Sequence, residues 1–190
     1  MTYYVLEGID CVGKSTQIGL LKKDEAFKEA TFISEPDSSP LGSMVRKEIE
    51  SKLDHKTMFL LFLASRAALF AKLRDSNPSL VISDRSLISG IAYSELPLKE
   101  ALSLNLFATS DVLPSKVVFL KASKEVLEAR LSGKKQDSIE SKGLMFLLDV
   151  QARIEETLRL IESKGVAIKI LDASQTQAAL SASIKEFFKP

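Results

Sequence analysis

A glycine-bounded loop near the N-terminus carries residues that could hold a triphosphate. Residues 8–15, GIDCVGKS, fit the phosphate-binding pattern G-x-x-x-x-G-K-[S/T] without a mismatch. A predicted strand precedes the loop and a predicted helix follows it, so backbone N–H groups and the helix N-terminus would converge on an anion. A chance turn before a helix is the alternative, but strand, loop and helix together favour a nucleoside triphosphate. Its contacts would come from Gly8, Ile9, Asp10, Cys11, Val12, Gly13, Lys14, Ser15 and Thr16.

Within this loop, Lys14 and Ser15 have the most specific expected roles. The Lys14 ammonium would lie along the β- and γ-phosphates, and the Ser15 hydroxyl would hold Mg²⁺. The motif therefore predicts a phosphate donor, and it leaves the phosphate acceptor open.

A second pair of candidate residues follows another predicted strand. Residues 80–83 are apolar and lead directly to Asp84 and Arg85. In phosphate-loop enzymes an acid at this place orients Mg²⁺, and an adjacent arginine can clamp a second phosphate with two hydrogen bonds. A structural salt bridge of Arg85 is the alternative. We favour the functional role because ligands gather at the C-terminal ends of parallel strands.

Alternating strands and helices must position these side chains. Short apolar runs predict strands at 2–6, 31–34, 80–83, 116–120 and 167–171. Helical patterns lie between them, at 14–28, 41–53, 56–75, 97–108, 124–132, 140–163 and 176–188. The alternation predicts an α/β P-loop fold of three layers with a five-stranded, doubly wound parallel sheet. We expect one domain over 1–190, with a small mobile lid at about 132–142 where the chain is polar.

Composition and charge limit the classes of partner. The chain of 190 residues is 45% hydrophobic and 27% charged, which is typical of a globular domain. With 26 basic and 25 acidic residues its net charge is only +1, which argues against extended nucleic-acid or membrane binding. The single cysteine, Cys11, excludes an internal disulfide framework. No apolar run approaches the roughly 18 residues of a membrane span. We therefore expect a cytoplasmic protein.

Several ordered motifs make the chain resemble the thymidylate kinase family. Residues 6–17 are close to that family's F-E-G-x-D-G-x-G-K-S/T-T-Q motif, and residues 35–46 resemble its E-P-G-G-T-P-L-G segment with a following arginine. Residues 61–67 resemble L-F-x-A-D-R-A, and residues 84–93 resemble D-R-Y-x-x-S-x-x-A-Y. Residues 171–174 resemble a segment that lies near the adenine in that family, which implies an ATP contact at Ala173. The resemblance spans most of the chain.

The resemblance implies that ATP and dTMP react to give ADP and dTDP, with Mg²⁺ bound by Ser15 and Asp84. Phe62 and Arg66 share a helix face, so Phe62 would stack on the pyrimidine while Arg66 donates to its O4. Arg85 and Arg46 would hold the acceptor phosphate, and Tyr93 would pack under the deoxyribose. Glu35 would accept a hydrogen bond near the 3′-hydroxyl or support Arg46, and Asp10 would orient Lys14 or the surroundings of the acceptor. The implied dTMP contacts are thus Glu35, Arg46, Phe62, Arg66, Arg85 and Tyr93.

Plain structural roles are the alternatives for several of these residues. Phe62 lies in a very apolar helix and Tyr93 could equally be a core tyrosine. Arg46 could lie on a solvated helix face. Arg66 needs a partner, which either a base carbonyl or a nearby acid would supply.

The phosphate loop lacks the internal arginine that some family members carry. Residues 9–12 contain no cation, so the positive charge that brings two polyanions together would come from Lys14, Mg²⁺ and the lid. The candidate catalytic residues are therefore Lys14, Asp10, Arg85, Arg130, Lys134 and Lys135. An ordinary solvated basic loop is the alternative for the lid cations.

Departures from the family pattern keep other functions open. Ser34, Ser65, Ser86, Gly90 and Ser94 stand where the family often has other residues. The segment 84–86 also resembles deoxynucleoside kinases, which phosphorylate a 5′-hydroxyl. A nucleotide-dependent switch ATPase is a third possibility, although no glutamine or histidine follows Asp84 closely. The resemblance also implies a homodimer, for which the apolar run 58–64 is a candidate surface or, alternatively, core.

Overall fold

Five parallel strands form the centre of the structure, a computed structural model that describes residues 1–49, 51, 53–132 and 143–189. The strand order is β2-β3-β1-β4-β5, and each neighbouring pair is parallel. The predicted α/β fold with a five-stranded parallel sheet is confirmed. The strands are β1 (Thr2–Glu7), β2 (Thr31–Ser34), β3 (Leu80–Asp84), β4 (Lys116–Lys121) and β5 (Ala167–Asp172).

Four of the strands continue one residue beyond the predicted end. Glu7 pairs with Phe119, and Lys121 pairs with Asp172. Ladder hydrogen bonds come from the backbone, so a charged side chain does not end a parallel strand. The extra residues matter because Glu7 and Asp84 thereby become the last strand residues before the two candidate motifs.

Helices cover both faces of the sheet. Within the described ranges they are α1 (Lys14–Leu21), α2 (Pro40–Ile49), α3 (His55–Ser76), α4 (Leu87–Ala92), α5 (Leu98–Thr109), α6 (Lys124–Leu131), α7 (Leu144–Glu162) and α8 (Gln177–Phe188). Polar N-caps start several of them as expected from their residue types, for instance Asp54 for α3 and Ser123 for α6. None of the helices in the described part of the chain is long and apolar enough to cross a membrane.

The sequence misplaced some helix ends and missed one helix. The predicted helix 41–53 ends at Ile49, as α2. Helix α1 ends at Leu21 and not at 28, because Asp24 accepts from the Ala26 N–H and starts a separate 3₁₀ turn, Glu25–Phe27. Helix α4 was not predicted. It is only six residues long, and Ser86 starts it by accepting from the Ile88 N–H.

The core lies on both sides of the central strand β1. Val5 and Leu6 are fully buried, as are Val81 in β3 and Val117 in β4. From β1 the chain goes to one side for β2 and β3 and to the other side for β4 and β5. The C-terminal end of β1 therefore lies where these connections diverge, which is the usual ligand position in such sheets. Of the predicted lid, all residues but Ser132 lie outside the described residues.

Candidate active site

The loop after β1 contains two glycines, Gly8 and Gly13, whose positive φ angles other residues rarely adopt. Gly8 has φ +151°, and a Cβ there would lie 2.8 Å from the Leu120 carbonyl oxygen and from Val12 Cγ2. Gly13 has φ +100° and stands as the N-cap of α1, where no side chain caps the helix. An uncapped helix N-terminus beside a glycine-rich turn leaves N–H groups to face an anion. The loop therefore has the backbone geometry of an anion site.

Lys14 is buried within this loop and turned back on it. Lys14 is 7% exposed, and its Nζ donates to the Ile9 carbonyl oxygen at 2.8 Å. Burial, reinforced by the positive charge of Arg85, lowers the pKa of Lys14 to about 8, although Asp10 and Asp84 oppose the change. A bound phosphate would supply the negative charge that this ammonium lacks.

Asp84 and Ser15 line one cavity of about 600 Å³, which extends along β2 between α1 and α3. The Asp84 Oδ1 atom is buried and has no hydrogen-bond partner. A buried, unpartnered carboxylate oxygen that shares a cavity with a serine fits Mg²⁺, which binds few protein oxygens and takes its remaining ligands from phosphate and water. The described residues contain no cluster of three acidic, histidine or cysteine side chains that would hold a metal alone.

Arg85 is clamped between the phosphate loop and α4. Its φ is +69°, and Nη1 donates to the Gly8 carbonyl oxygen at 3.2 Å and to Ser89 Oγ at 3.1 Å. Nη2 forms an ion pair with Asp10. The predicted alternative of a salt bridge is thus present, but its acid is a phosphate-loop residue. The guanidinium lies at the junction of the loop and the segment 84–93.

Asp10 also accepts from Tyr93, whose hydroxyl lies 3.1 Å from Oδ2. Burial tends to raise the pKa of Asp10, but the Arg85 guanidinium and Lys14 outweigh it, so the pKa lies below its usual value. Burial raises the pKa of Tyr93, and the phenol stays protonated to donate. The Arg85 guanidinium lies 5.6 Å from the centre of the Tyr93 ring. Asp10, Arg85 and Tyr93 therefore form one hydrogen-bonded, charged cluster.

Arg66 and Glu35 form a second, buried ion pair. Arg66 is 2% exposed, and its Nε donates to Glu35 Oε2 at 2.6 Å. Burial raises the pKa of Glu35, while Arg66 opposes the change. The expectation that Glu35 supports Arg46 was wrong, because Glu35 turns inward to α3. Arg46 instead donates to the Pro36 carbonyl oxygen and to Ser34 Oγ, the latter at 3.3 Å.

The apolar run 58–64 is neither all core nor all surface. Phe59 is buried, Leu60 is 53% exposed, and Phe62 is half-buried one turn before Arg66. A half-buried aromatic ring beside a buried arginine suits a flat ligand that covers the exposed part of the ring.

Arg130, near the end of α6, connects the phosphate loop to the β5–α8 connection. Its Nη1 donates to the Cys11 carbonyl oxygen at 3.0 Å, and its Nη2 donates to the Ala173 carbonyl oxygen at 2.6 Å. Ala173, expected near the adenine, thus lies beside the loop. The other two lid cations, Lys134 and Lys135, lie outside the described residues.

Comparison with known proteins agrees with this geometry. The family model described as thymidylate kinase matches residues 6–184. The chain belongs to the thymidylate kinase family. Proteins named thymidylate kinase are 47% identical in Campylobacter lari, over 97% of this chain and 98% of that protein, and 41% identical in Helicobacter pylori strain HPAG1, over 98% of each. Another, from Aliarcobacter butzleri, is 39% identical over 97% of each chain.

Sequence reasoning missed one buried acid in this thymidylate kinase family member. Glu7 is fully buried and accepts from Ser86 Oγ and Ser89 Oγ, both at 2.7 Å, and from the Ser89 N–H at 3.3 Å. It thereby fixes the start of α4 against β1. The sequence contains a signal for it: a glutamate at the end of an apolar strand is expected to be buried, and a buried carboxylate needs hydrogen-bond donors.

Asn105 in α5 is the other residue that sequence reasoning missed. It is fully buried, and its Oδ1 accepts from Arg66 Nη1. No motif marks it, since its partner lies on another helix, 39 residues earlier.

Proposed function

We propose that this chain transfers the γ-phosphoryl group of ATP to dTMP, giving dTDP and ADP. One observation carries the proposal: Arg85 is held against the Gly8 carbonyl oxygen and Asp10, at the junction of the phosphate loop and the segment that carries Tyr93. A cation at that place can face the phosphates of a donor and of an acceptor together.

The donor site would be formed by the phosphate loop. Backbone N–H groups of residues 8–16 and the N-terminus of α1 would bind the phosphates of ATP, and Lys14 would leave the Ile9 carbonyl oxygen to contact them. Ala173 would contribute to the adenine side. Ser15 and Asp84 would hold Mg²⁺, which neutralises phosphate charge when it is bound.

The acceptor site would be formed by residues of α2 and α3, by Glu35 after β2, and by the two residues that flank α4, Arg85 and Tyr93. Phe62 would stack on the thymine, Arg66 would donate to a base carbonyl, and Tyr93 would pack against the deoxyribose. The Glu35 Oε1 atom is buried without a hydrogen-bond partner, so it can accept from a donor group of the substrate. Arg46 and Arg85 would bind the 5′-phosphate.

The chemistry would rest on positioning and charge. The acceptor is already a phosphate anion, so no general base is required. Lys14 and Arg85 would offset the repulsion between the two anions, and Arg130, Lys134 and Lys135 would add charge from the lid side. Asp10 would keep Arg85 and Tyr93 oriented.

We also infer a single domain over 1–190 with a lid at about 132–142, which acts on small molecules in the cytoplasm. Nothing in the net charge of +1 favours a nucleic-acid or membrane partner. A homodimer is inferred from the family, and the exposed Leu60 on α3 is a candidate contact.

An acceptor panel with ATP and Mg²⁺ tests the function. We expect ADP formation with dTMP and none above background with thymidine or without any acceptor. Turnover of thymidine alone would support a deoxynucleoside kinase, and rapid hydrolysis without an acceptor would support a switch ATPase. Either result would overturn the proposal.

A further inference from the structure

The Arg66 guanidinium is held by three different elements. Nε donates to Glu35 Oε2 after β2, Nη1 donates to Asn105 Oδ1 in α5, and Nη2 donates to the Ser86 carbonyl oxygen at 3.2 Å. A guanidinium has five N–H donors, and these bonds use three of them. One N–H on each terminal nitrogen takes no part in these three bonds.

Gly90 leaves the space that this guanidinium fills. A Cβ at Gly90 would lie 2.7 Å from Arg66 Nη1, 2.9 Å from Nη2 and 3.0 Å from Asn105 Oδ1. Gly90 lies inside α4 with no positive φ, so its backbone would accept alanine without strain. A side chain at position 90 is therefore excluded by the Arg66 guanidinium, and not by the backbone conformation of Gly90.

Asn105 presents an acceptor to Arg66 in a fixed orientation. Its Nδ2 donates to the Ala101 carbonyl oxygen at 2.7 Å, which is the carbonyl one turn earlier in α5. Reversal of the amide would set an NH₂ group against the guanidinium and an oxygen against a carbonyl. The buried amide is thus held with Oδ1 toward Arg66.

We propose that Gly90 and Asn105 determine the choice of acceptor base by positioning Arg66. This inference rests on the proposed function, in which the acceptor is a pyrimidine monophosphate. A guanidinium has hydrogen-bond donors and no acceptor. The two remaining N–H groups of Arg66 therefore favour a base carbonyl such as that of thymine. They disfavour cytosine, which has an amino group at the same ring position.

The first experiment combines Gly90→Ala with Arg66→Lys in a double-mutant cycle. G90A should raise the KM for dTMP about tenfold or more and leave the KM for ATP nearly unchanged, because the Cβ displaces the guanidinium. The dTMP preference over dCMP should fall with it. Lysine lacks Nη1 and Nη2, so G90A should add little to R66K. Ser103→Ala is the control, since Ser103 is exposed on α5 and donates to the Lys99 carbonyl oxygen of its own helix.

The second experiment compares Asn105→Leu with Asn105→Asp. Leucine removes the acceptor and should raise the KM for dTMP about tenfold. Aspartate loses the hydrogen bond to the Ala101 carbonyl oxygen, which should lower Tm, but it keeps an oxygen toward Arg66 and should hold that KM within about threefold of the wild type. A thermal melt of each variant accompanies the kinetics, and a merely structural role would change stability without this split between leucine and aspartate.

The outcomes separate this inference from the proposed function. If the wild type does not phosphorylate dTMP, the proposed function fails and the inference fails with it. If the wild type is active and G90A keeps the wild-type KM for dTMP, or if G90A and R66K add independently, the inference alone is overturned. If G90A does not fold, folding of the R66K/G90A double variant supports the inference, and its failure to fold contradicts it.

Discussion

Arg85 is a permanently charged side chain of the candidate site. Desolvation alone would lower its pKa, but Tyr93, Asp10 and Glu7 outweigh it and raise the pKa above its usual value. Lys14 differs, because burial lowers its pKa to about 8. The two cations therefore respond differently to pH and to substitution.

Replacing Arg85 tests the proposal that it contacts both phosphates. Arg85→Ala should lower kcat by about 100-fold or more, because it removes a donor that faces charge during the transfer. Steady-state kinetics with ATP and dTMP measure this. Arg74→Ala is the matched control, since Arg74 lies on α3 and donates to Ser110 Oγ in an exposed place. Equal rates for the two variants would contradict the role of Arg85.

The pH profile tests Lys14. Its folded-state pKa of about 8 means that the free enzyme loses the ammonium as pH rises through about 8. We expect kcat/KM for ATP to fall over this range, because a neutral amine no longer attracts the phosphates. The stability effect has the opposite sign. The buried ammonium costs stability below pH 8, and this cost is relieved as pH rises toward the unfolded value. A constant kcat/KM for ATP up to about pH 9.5 would contradict the assignment.

At the scale of elements, the short helix α4 separates Arg85 from Tyr93, two residues of the proposed acceptor site. Glu7 fixes its first turn through Ser86 and Ser89. Arg153 on α7 donates to the Ala92 carbonyl oxygen at 3.1 Å, to the Leu96 carbonyl oxygen at 3.0 Å and to that of Ile91 at 3.4 Å. These carbonyl groups lie at and beyond the C-terminal end of α4, where a helix lacks internal partners. Helix α7 therefore stabilises the end of α4 that leads to Tyr93.

Arg153→Ala should loosen that end. Loss of hydrogen bonds from a charged donor costs about 2 kcal/mol, which lowers Tm by about 4–8 °C in a chain of this size. We also expect the KM for dTMP to increase more than the KM for ATP, because Tyr93 follows α4 directly. Differential scanning calorimetry and initial rates measure the two effects.

Arg159→Ala on the same helix is the control. Arg159 is exposed and has only an ion pair with Glu155 at 4.0 Å, so its loss should change Tm by about 1 °C or less. Equal changes for the two arginines would contradict the role of Arg153.

The strands could be predicted from the sequence, but the partners of the buried polar groups could not. Runs such as those at 80–83 and 116–120 are apolar on both faces, which is typical of strands in a parallel sheet. Helix α4 is too short to show a helical period, and Ser86 as its cap was instead seen as a departure from a motif. The partners Glu35 and Asn105 of Arg66 depend on how β2, α3 and α5 pack, which local residue types do not determine.

At the scale of the whole molecule, the sheet topology gathers motifs that are far apart in the chain. Loop 8–15 follows β1 and Arg85 follows β3, and these strands are neighbours. A net charge of +1 thus coexists with two cations, Lys14 and Arg85, that lie at the phosphate loop after β1. The protein can therefore bind polyanionic nucleotides without a generally basic surface.

The inferred homodimer is tested by Leu60→Glu. A charge on this exposed α3 position should weaken association if the helix contacts a second copy, and the variant should sediment as a monomer while the wild type sediments as a dimer. Met145→Glu is the control, because Met145 is exposed on α7. A monomeric wild type would refute the dimer, and a dimeric L60E variant would remove Leu60 from its contact.

Phosphorus NMR of the wild-type reaction tests the central claim most directly, because it identifies the bond that forms. With ATP, Mg²⁺ and dTMP, we predict that the dTMP signal decreases while the two phosphate signals of dTDP and those of ADP increase in equal amounts. Formation of ADP and inorganic phosphate while dTMP stays unchanged would contradict the account.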